Sequence, residues 1–353
     1  MINFHNLSVC VRATVLGGEK IKVLVTVPKP LLEEISKPED RARLERFAEV
    51  VYNDKDRNLT QEELREMIRG VDACITGWGS PRFTKEVLDN ADKLKIIGHA
   101  AGSVKPYVTE EVFKRGVVVV NAADAIAISV AEFTLAMILN CLRRIPDFIH
   151  AMKNKNWDFR KQHKFFTYDL RGKCIGVVGF GRIARYLVDL LKPFEVEILV
   201  YDPHVPADTI HSFGCKAVDL DTLLKESDVV TIHAALTEET HHMIGERELR
   251  LMKRTAYLIN TARGAVIDEK ALLKALKEGW IAGAALDVFE KEPLPKESEL
   301  YELENVYLTP HIAGPSDERR HSLFGVIVEE FERFFTGRSL RYKVEPETLK
   351  FRA

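Results

Sequence analysis

Three polar side chains follow three predicted strands in the second half of the chain, each just beyond the end of its strand. They are Arg263 after the apolar run 256–260, Glu292 after the run 281–286, and His311 after Val306–Leu308. Open α/β sheets bind ligands outside the carboxyl ends of their strands, so these side chains are expected to meet in one pocket. There an imidazole can exchange a proton near neutral pH, and a guanidinium can grip a carboxylate. Taken singly, each residue has a plainer interpretation: a surface cation, a loop acid and a turn histidine.

A glycine turn precedes these groups in the chain. Residues 174–178 are a short apolar run rich in β-branched residues, which favours a buried parallel strand. The run leads into Gly179-Phe-Gly-Arg-Ile-Ala184, the G-x-G-x-x-A spacing of a turn that binds a dinucleotide. Gly179 would make the tight turn, and Gly181 would let a pyrophosphate approach the N-terminus of the following helix. Small residues also gather in turns for structural reasons, so the motif by itself is a weak signal.

An acid at the end of the next predicted strand strengthens this interpretation. Residues 196–201 read as the second strand of a βαβ unit, and Asp202 follows about 20 residues after the glycines. A carboxylate there accepts hydrogen bonds from the adenosine ribose of NAD and repels the 2′-phosphate of NADP. The sequence therefore predicts NAD as the cofactor. The alternative is that Asp202-Pro203 only ends the strand in a turn.

The elements that position these groups predict an α/β protein with two doubly wound parallel sheets. Strand and helix patterns alternate from residue 21 to 120 and again from 174 to 308. We expect a flavodoxin-like substrate domain, residues 1–121 plus 312–353, and a Rossmann NAD-binding domain, residues 122–311.

Three further segments carry structural predictions. Residues 7–27 could form a hairpin, and residues 317–336 predict one amphipathic helix with Gly337 at its C-terminal cap. Residues 127–151 form a long, alanine-rich apolar segment, predicted to be one helix buried between domains or in a homodimer.

Composition bounds the remaining possibilities. With 46% hydrophobic residues, 29% charged residues and a net charge of −2, the chain resembles an ordinary globular protein. No basic patch suggests nucleic acid, no apolar run was expected to approach membrane-spanning length, and the N-terminus lacks the pattern of a signal peptide, so we expect a cytoplasmic protein. The five scattered cysteines are expected to be reduced and mostly buried, and the adjacent His241 and His242 to form a surface pair without a metal.

Several motifs together resemble the D-isomer-specific 2-hydroxyacid dehydrogenases over about residues 94–318, whereas residues 1–93 match only in pattern. The motifs are Val130-Ala-Glu132, Gly176-Val-Val-Gly-Phe-Gly-Arg-Ile183, His233-Ala-Ala-Leu-Thr237, Asn260-Thr-Ala-Arg-Gly264, Leu286-Asp-Val-Phe-Glu290 with Glu292-Pro293, and Thr309-Pro-His-Ile-Ala-Gly314. The resemblance implies an oxidoreductase that transfers a hydride between NAD(H) and a small 2-hydroxy or 2-keto acid, with D-isomer specificity. It implies Arg263 as the substrate-binding arginine, His311 as the acid/base and Glu292 as its carboxylate partner.

The same resemblance implies the remaining site residues. Those implied to lie around the cofactor are Gly179, Gly181, Arg182, Ile183, Asp202, His233, Thr237, Thr261, Ala262, Arg263, Asp287, His311 and Ala313. The amides of Ala101 and Gly102 would take the substrate carboxylate, although the following Ser103-Val104-Lys105 departs from the family's usual Asp-Asn. Trp78 would line the side-chain pocket, and its indole offers no help to a phosphate dianion, so an unphosphorylated substrate is predicted.

A binding protein is the alternative from another functional class. The C-terminal-binding-protein corepressors resemble this family, keep similar residues and sense NAD. Steady turnover of NADH with a 2-keto acid would separate the two hypotheses.

Overall fold

The computed structural model describes residues 20–162 and 167–347 of the 353-residue chain. In these ranges, one compact unit contains residues 20–123 and 320–347, and the other contains residues 124–162 and 167–319. The chain thus divides after residues 123 and 319, whereas the sequence predicted divisions after 121 and 311. The first strand of the hairpin proposed for residues 7–27 lies outside the described residues.

The first unit is a parallel α/β sheet. Its strands are β1 (Ile21–Val25), β2 (Ala48–Tyr52), β3 (Ala73–Thr76), β4 (Ile96–His99) and β5 (Val118–Asn121). Its first helices are α1 (Lys29–Ile35), α2 (Pro38–Phe47), α3 (Gln61–Met67), α4 (Lys85–Leu88) and α5 (Glu110–Lys114). The strand order β2-β1-β3-β4-β5 is that of flavodoxin-like folds. Helix α3 begins after Thr60 because Thr60 and Glu63 exchange side-chain to backbone hydrogen bonds in a capping box.

The second unit contains a larger parallel sheet. Its strands are β6 (Cys174–Val178), β7 (Glu197–Tyr201), β8 (Lys216–Ala217), β9 (Val229–Ile232), β10 (Tyr257–Asn260), β11 (Gly283–Leu286) and β12 (Val306–Leu308). The helices are α6 (Ala123–Arg143), α7 (Ile145–Lys153), α8 (Phe159–Gln162), α9 (Arg182–Leu191), α10 (Ala207–Ser212), α11 (Leu220–Glu226), α12 (Glu246–Leu251), α13 (Glu269–Glu278) and α14 (Asp317–Arg320). The order β12-β11-β10-β9-β6-β7-β8 is a doubly wound Rossmann arrangement, which confirms the predicted fold class.

The single long helix predicted over residues 127–151 is in fact two helices, α6 and α7. Between them Arg144 adopts a left-handed conformation, with φ of +52° and ψ of 38°. Pro146 then occupies the first turn of α7, where the missing N–H of a proline is tolerated. The prediction was wrong because it followed the apolar pattern through a proline that a helix interior does not accept.

Helix α6 also corrects an expectation about membranes. Its 21 residues suffice, by length and composition, for a membrane-spanning helix, so the expectation that no apolar run approaches that length was wrong. Buried residues of this helix, among them Ile138, Cys141 and Leu142, pack into the core of the second unit. The core helix of a globular domain meets the same two criteria.

The C-terminal segment predicted as one helix over residues 317–336 is likewise divided, into α14 and α15 (Leu323–Phe335). Gly337 follows with φ of +69°, the left-handed conformation that ends many helices. Helix α15 packs on β4 so closely that a Cβ on Gly98 would lie 2.1 Å from Ile327 and 2.8 Å from Phe331. This contact fixes the end of β4, which leads into the loop of Ala101 and Gly102.

Candidate active site

The glycine turn after β6 has the shape of a phosphate-binding loop. Gly179 has φ of +88°, and a Cβ there would lie 2.7 Å from the backbone nitrogen of Ala234, so only glycine fits. A Cβ on Gly181 would meet nothing within 4 Å, which leaves open space beside the loop. Helix α9 begins at Arg182 without a side-chain cap, so its first amides remain for an anion. The residues present therefore fit a dinucleotide pyrophosphate.

Asp202 has the structural role that the sequence offered as the alternative, and its role toward the ribose stays a prediction. Its carboxylate oxygens accept hydrogen bonds from the backbone amides of Phe180, at 2.7 Å, and His204, at 2.9 Å. Asp202 therefore shapes its own turn and braces the glycine turn. Each carboxylate oxygen has two lone pairs, so acceptor capacity remains for a ribose hydroxyl.

Other predicted cofactor residues have partners within the protein. Arg182 Nε lies 3.0 Å from a carboxylate oxygen of Asp124, and Ile183 packs at the edge of the core. Thr261 Oγ1 lies 2.9 Å from Thr134 Oγ1 on α6, where both side chains are buried. These contacts fix the backbone at the carboxyl ends of β6 and β10.

The loop after β9 contains the predicted His233 and Thr237. His233 Nε2 lies 3.0 Å from Thr231 Oγ1, and burial lowers the pKa of His233 to about 4. The ring is therefore neutral near pH 7. The amide of Thr237 donates to Thr240 Oγ1 at 2.8 Å, which closes the loop.

His311 and Glu292 form the closest pair of reactive side chains in this region. His311 Nδ1 lies 2.6 Å from Glu292 Oε2, and Glu292 Oε1 accepts the amide of Phe289 at 3.1 Å. His311 has a left-handed φ of +54°, a conformation that costs a non-glycine residue about 1 kcal/mol or more. Its amide lies 2.9 Å from the carbonyl oxygen of Asp287 and 3.0 Å from that of Thr309. The surrounding backbone thus holds the imidazole in a strained but defined place.

Arg263 lies close to the same carboxylate. Its Nη1 donates to the carbonyl oxygen of Ala262 at 2.6 Å, while Asn260 binds the carbonyl oxygen of Arg263 at 2.9 Å. Burial lowers the pKa of the Arg263 guanidinium, and the charge of Glu292 acts in the opposite direction. The structure therefore brings the guanidinium, carboxylate and imidazole predicted from the sequence into one neighbourhood.

Asp287 has an anchoring function that the sequence did not reveal. Its side chain is 1% exposed, and its Oδ1 accepts Thr309 Oγ1 at 2.6 Å and the amide of Ile312 at 2.9 Å. Its Oδ2 accepts the amide of Ala313 at 2.8 Å. Asp287 therefore ties down both sides of His311. The sequence does contain one signal for this function, an acid directly after a buried strand. A buried charge needs several hydrogen-bond partners.

The substrate residues predicted in the first unit lie after β3 and β4. The carbonyl oxygens of Ala101 and Gly102 accept hydrogen bonds from the Ala122 amide, at 3.1 Å, and Asn121 Nδ2, at 2.8 Å. Within the described part of the chain, the amides of Ala101 and Gly102 donate to no protein acceptor. A carboxylate could therefore bind these amides without displacing an internal hydrogen bond.

Trp78 has a cation on its ring that sequence reasoning missed. The guanidinium of Arg320 lies 4.7 Å from the centroid of the Trp78 indole, and Arg320 Nη2 lies 2.9 Å from Glu34 Oε2. No local pattern signals this contact, because Arg320 reaches Trp78 only through the return of the chain to the first unit.

Metal-ligating side chains do not cluster in residues 20–162 and 167–347, where no group of three or more His, Cys, Asp or Glu could hold an ion.

Comparison with known proteins links this geometry to one group of enzymes. Residues 135–313 match the family model described as D-isomer specific 2-hydroxyacid dehydrogenase, NAD binding domain. A D-3-phosphoglycerate dehydrogenase of Methanocaldococcus jannaschii is 40% identical over 318 residues, which are 90% of this chain and 58% of that protein. A glyoxylate reductase of Thermococcus litoralis is 41% identical over 298 residues, 83% of this chain and 89% of that protein.

A solved structure extends the likeness to the fold. The apo D-mandelate dehydrogenase of Rhodotorula graminis aligns with a TM-score of 0.80 and 26% identity, covering 93% of this chain and 98% of its own. Both sequence relatives cover more of the chain than residues 94–318, the stretch that carried the motifs. All three relatives bear the names of enzymes, which favours an enzyme over the alternative of an NAD-sensing binding protein.

Proposed function

The chain belongs to the D-isomer specific 2-hydroxyacid dehydrogenases, a family of NAD-linked oxidoreductases, and we propose that it interconverts an unphosphorylated 2-keto acid and its D-2-hydroxy acid. The observation that carries the proposal is the pair of His311 and Glu292, 2.6 Å apart and beside Arg263. An acid/base, its carboxylate partner and a cation for the substrate are the groups that this reaction requires.

The glycine turn, the amides at the start of α9 and Asp202 would hold the dinucleotide. Bound NADH supplies the hydride that reduces the keto carbon. As negative charge develops on the keto oxygen, a proton donor must lie within hydrogen-bond reach. Glu292 occupies Nδ1 of His311, which leaves Nε2 as the nitrogen that gives the proton. In the oxidation direction, the neutral ring accepts the proton instead.

Arg263 would bind the substrate carboxylate and polarise the keto group. Its planar guanidinium can make two parallel hydrogen bonds to a carboxylate, and its partial burial strengthens them. In the five-stranded unit, the free amides of Ala101 and Gly102 are donors that can bind a carboxylate.

An unphosphorylated substrate is supported by the charges around Trp78. Arg320 is the cation on the indole, but Glu34 lies 2.9 Å from it and offsets its charge. An indole with a neutralised cation suits an apolar or hydroxylated substituent better than a phosphate dianion. A glyoxylate reductase and a D-3-phosphoglycerate dehydrogenase are both relatives, so the choice between an unphosphorylated and a phosphorylated substrate needs a direct test.

A panel of 2-keto acids, assayed by the loss of NADH absorbance, tests the proposal. We expect turnover of unphosphorylated acids, with the D-hydroxy acid as product. Absence of turnover with every 2-keto acid would contradict the proposed reaction, and 3-phosphoglycerate as the best substrate by kcat/KM would contradict the substrate class.

We further propose a homodimer that involves the segment of α6 and α7. Ile145, Ile149 and Met152 are 41%, 51% and 51% exposed, and their spacing puts them on one face of α7. Nearby Trp157 is 80% exposed. A contiguous apolar patch of this kind favours association. Light scattering at micromolar concentration should give the mass of a dimer, and a monomer would contradict this proposal.

A cytoplasmic location is proposed on the state of the cysteines. Cys74, Cys141, Cys174 and Cys215 are free thiols, which suits a reducing compartment. Fractionation of cells should recover the protein with the cytosol.

A further inference from the structure

Two acids outside the reacting groups join the loop after β11 to the start of α13. The amide of Glu269 donates to Glu290 Oε1 at 3.0 Å, and the amide of Glu290 donates to Glu269 Oε2 at 3.2 Å. His242 Nε2 lies 2.7 Å from the same Glu290 oxygen. Three segments that are distant in sequence are therefore joined at one carboxylate.

The histidine is held as firmly as the acids. His242 has a left-handed φ of +53°, its amide donates to the carbonyl oxygen of Ala265 at 2.8 Å, and the His241 ring stacks on it at 4.0 Å. A left-handed histidine persists only where its surroundings fix it. The expected surface pair is thus present, and one of its members has a specific partner.

This cluster lies directly against the backbone of the candidate active site. A Cβ on Gly264, the residue after Arg263, would lie 1.9 Å from the carbonyl carbon of Phe289 and 2.4 Å from the nitrogen of Glu290. The same Phe289 donates its amide to Glu292 at 3.1 Å. The loop that carries Glu292 therefore packs against Gly264 and is hydrogen bonded to Glu269 through Glu290.

We propose that His242, Glu269 and Glu290 form a positioning network that holds Glu292 against His311. The inference rests on the proposed function, because it concerns the acid/base pair of that reaction. None of the three touches His311, so they act through Glu292. Charged side chains near His311 include Glu292, Arg263 and Asp287.

Geometry favours a positioning role over simple packing. Glu269 and Glu290 each accept the backbone amide of the other, and His242 Nε2 lies within hydrogen-bond distance of Glu290 Oε1. Burial raises the pKa of Glu269, the hydrogen bond from the Glu290 amide lowers it, and the charge of Glu290 raises it. An arrangement of this kind keeps the loop in one place, which the 2.6 Å contact between Glu292 and His311 requires.

The test compares Glu290→Ala, Glu290→Gln and His242→Ala with Glu292→Gln, and uses Glu297→Ala as the control. Glu297 is an exposed acid in the same segment, five residues beyond Glu292. We expect Glu290→Ala to lower kcat about 10-fold with KM nearly unchanged, and to move the pH profile in the direction of Glu292→Gln. His242→Ala should give a smaller change of the same kind, since it leaves the two acids joined. Glu290→Gln should recover most of the loss, because an amide oxygen can still accept both hydrogen bonds.

A measurement without turnover separates this inference from the proposed function. NMR can follow the titration of the His311 ring, assigned through His311→Gln, in each folded variant that binds NADH. A midpoint that moves in Glu290→Ala but not in Glu297→Ala supports the network even if no 2-keto acid is reduced. If Glu290→Ala folds poorly, the midpoint of the His311 titration in His242→Ala tests the inference instead. A wild-type titration and a wild-type pH profile in the folded variants would overturn the inference.

Discussion

In the seven-stranded unit, the loops after β10, β11 and β12 present charged side chains, whereas the loops after β3 and β4 of the five-stranded unit present an indole and backbone amides. Arg263 and Glu292 are held by hydrogen bonds within their own segments, and the contact between His311 and Glu292 joins two loops. Ala101 and Gly102 instead keep their amides free. Proton transfer needs a titratable group at a fixed distance, while recognition of a carboxylate needs only aligned donors. Changes at His311 and Glu292 should therefore lower kcat, and changes in the loops after β3 and β4 should alter KM and substrate choice.

His311→Ala gives the largest expected effect. Loss of the proton donor should lower kcat by roughly 100-fold or more, because general acid catalysis typically contributes that much. The affinity for NADH, measured by fluorescence titration, should stay near normal, since the glycine turn is not altered. A kcat within a few-fold of the wild type would mean that another group supplies the proton.

Glu292→Gln should have a smaller effect. The carboxylate lies 2.6 Å from His311 Nδ1 and orients the ring so that Nε2 is left to donate the proton. Replacement of the carboxylate by an amide should lower kcat about 10-fold and change the pH–rate profile of the reduction. A pH–rate profile identical to the wild type would make Glu292 a purely structural acid.

The groups of the seven-stranded unit were also the ones that the sequence could predict. Gly179, Arg263 and His311 lie at short, fixed distances from strands whose apolar patterns are clear, so motif and strand together define their positions. Asp287 was placed in the right loop, but its use as an anchor depends on contacts made by residues 309–313. Short elements such as β8 and α8 have too few residues for a periodic pattern.

Contacts between segments that are distant in the chain could not be predicted from the sequence. Arg320 meets Trp78, and His242 meets Glu290, only because the chain folds back on itself. The break between α6 and α7 at Arg144 is different, because Pro146 is visible in the sequence. The prediction of one helix gave more weight to the apolar pattern than to this proline.

Asp202→Ser tests the cofactor side of the seven-stranded unit. The wild type should prefer NADH to NADPH in kcat/KM, because a carboxylate near the ribose repels the 2′-phosphate. Removal of the charge should raise kcat/KM with NADPH by about 10-fold, while NADH loses a ribose contact. Equal or better use of NADPH by the wild type would contradict the assignment of Asp202.

Trp78→Ala has the smallest expected effect and bears most directly on the five-stranded unit. If the indole lines the pocket of the substrate side chain, its removal should raise KM about 5-fold for 2-keto acids with large apolar substituents. It should leave kcat nearly unchanged, because Trp78 provides no group for proton transfer.

Glyoxylate has no side chain and serves as the matched control substrate, so its KM should stay constant. Arg320→Gln would remove the cation that lies 4.7 Å from the ring and should give a weaker form of the same pattern. An equal rise in KM for glyoxylate and for bulky acids would mean that Trp78 supports the fold of the loop. A fall in kcat would contradict the assignment of substrate recognition to the five-stranded unit and of proton transfer to the seven-stranded unit.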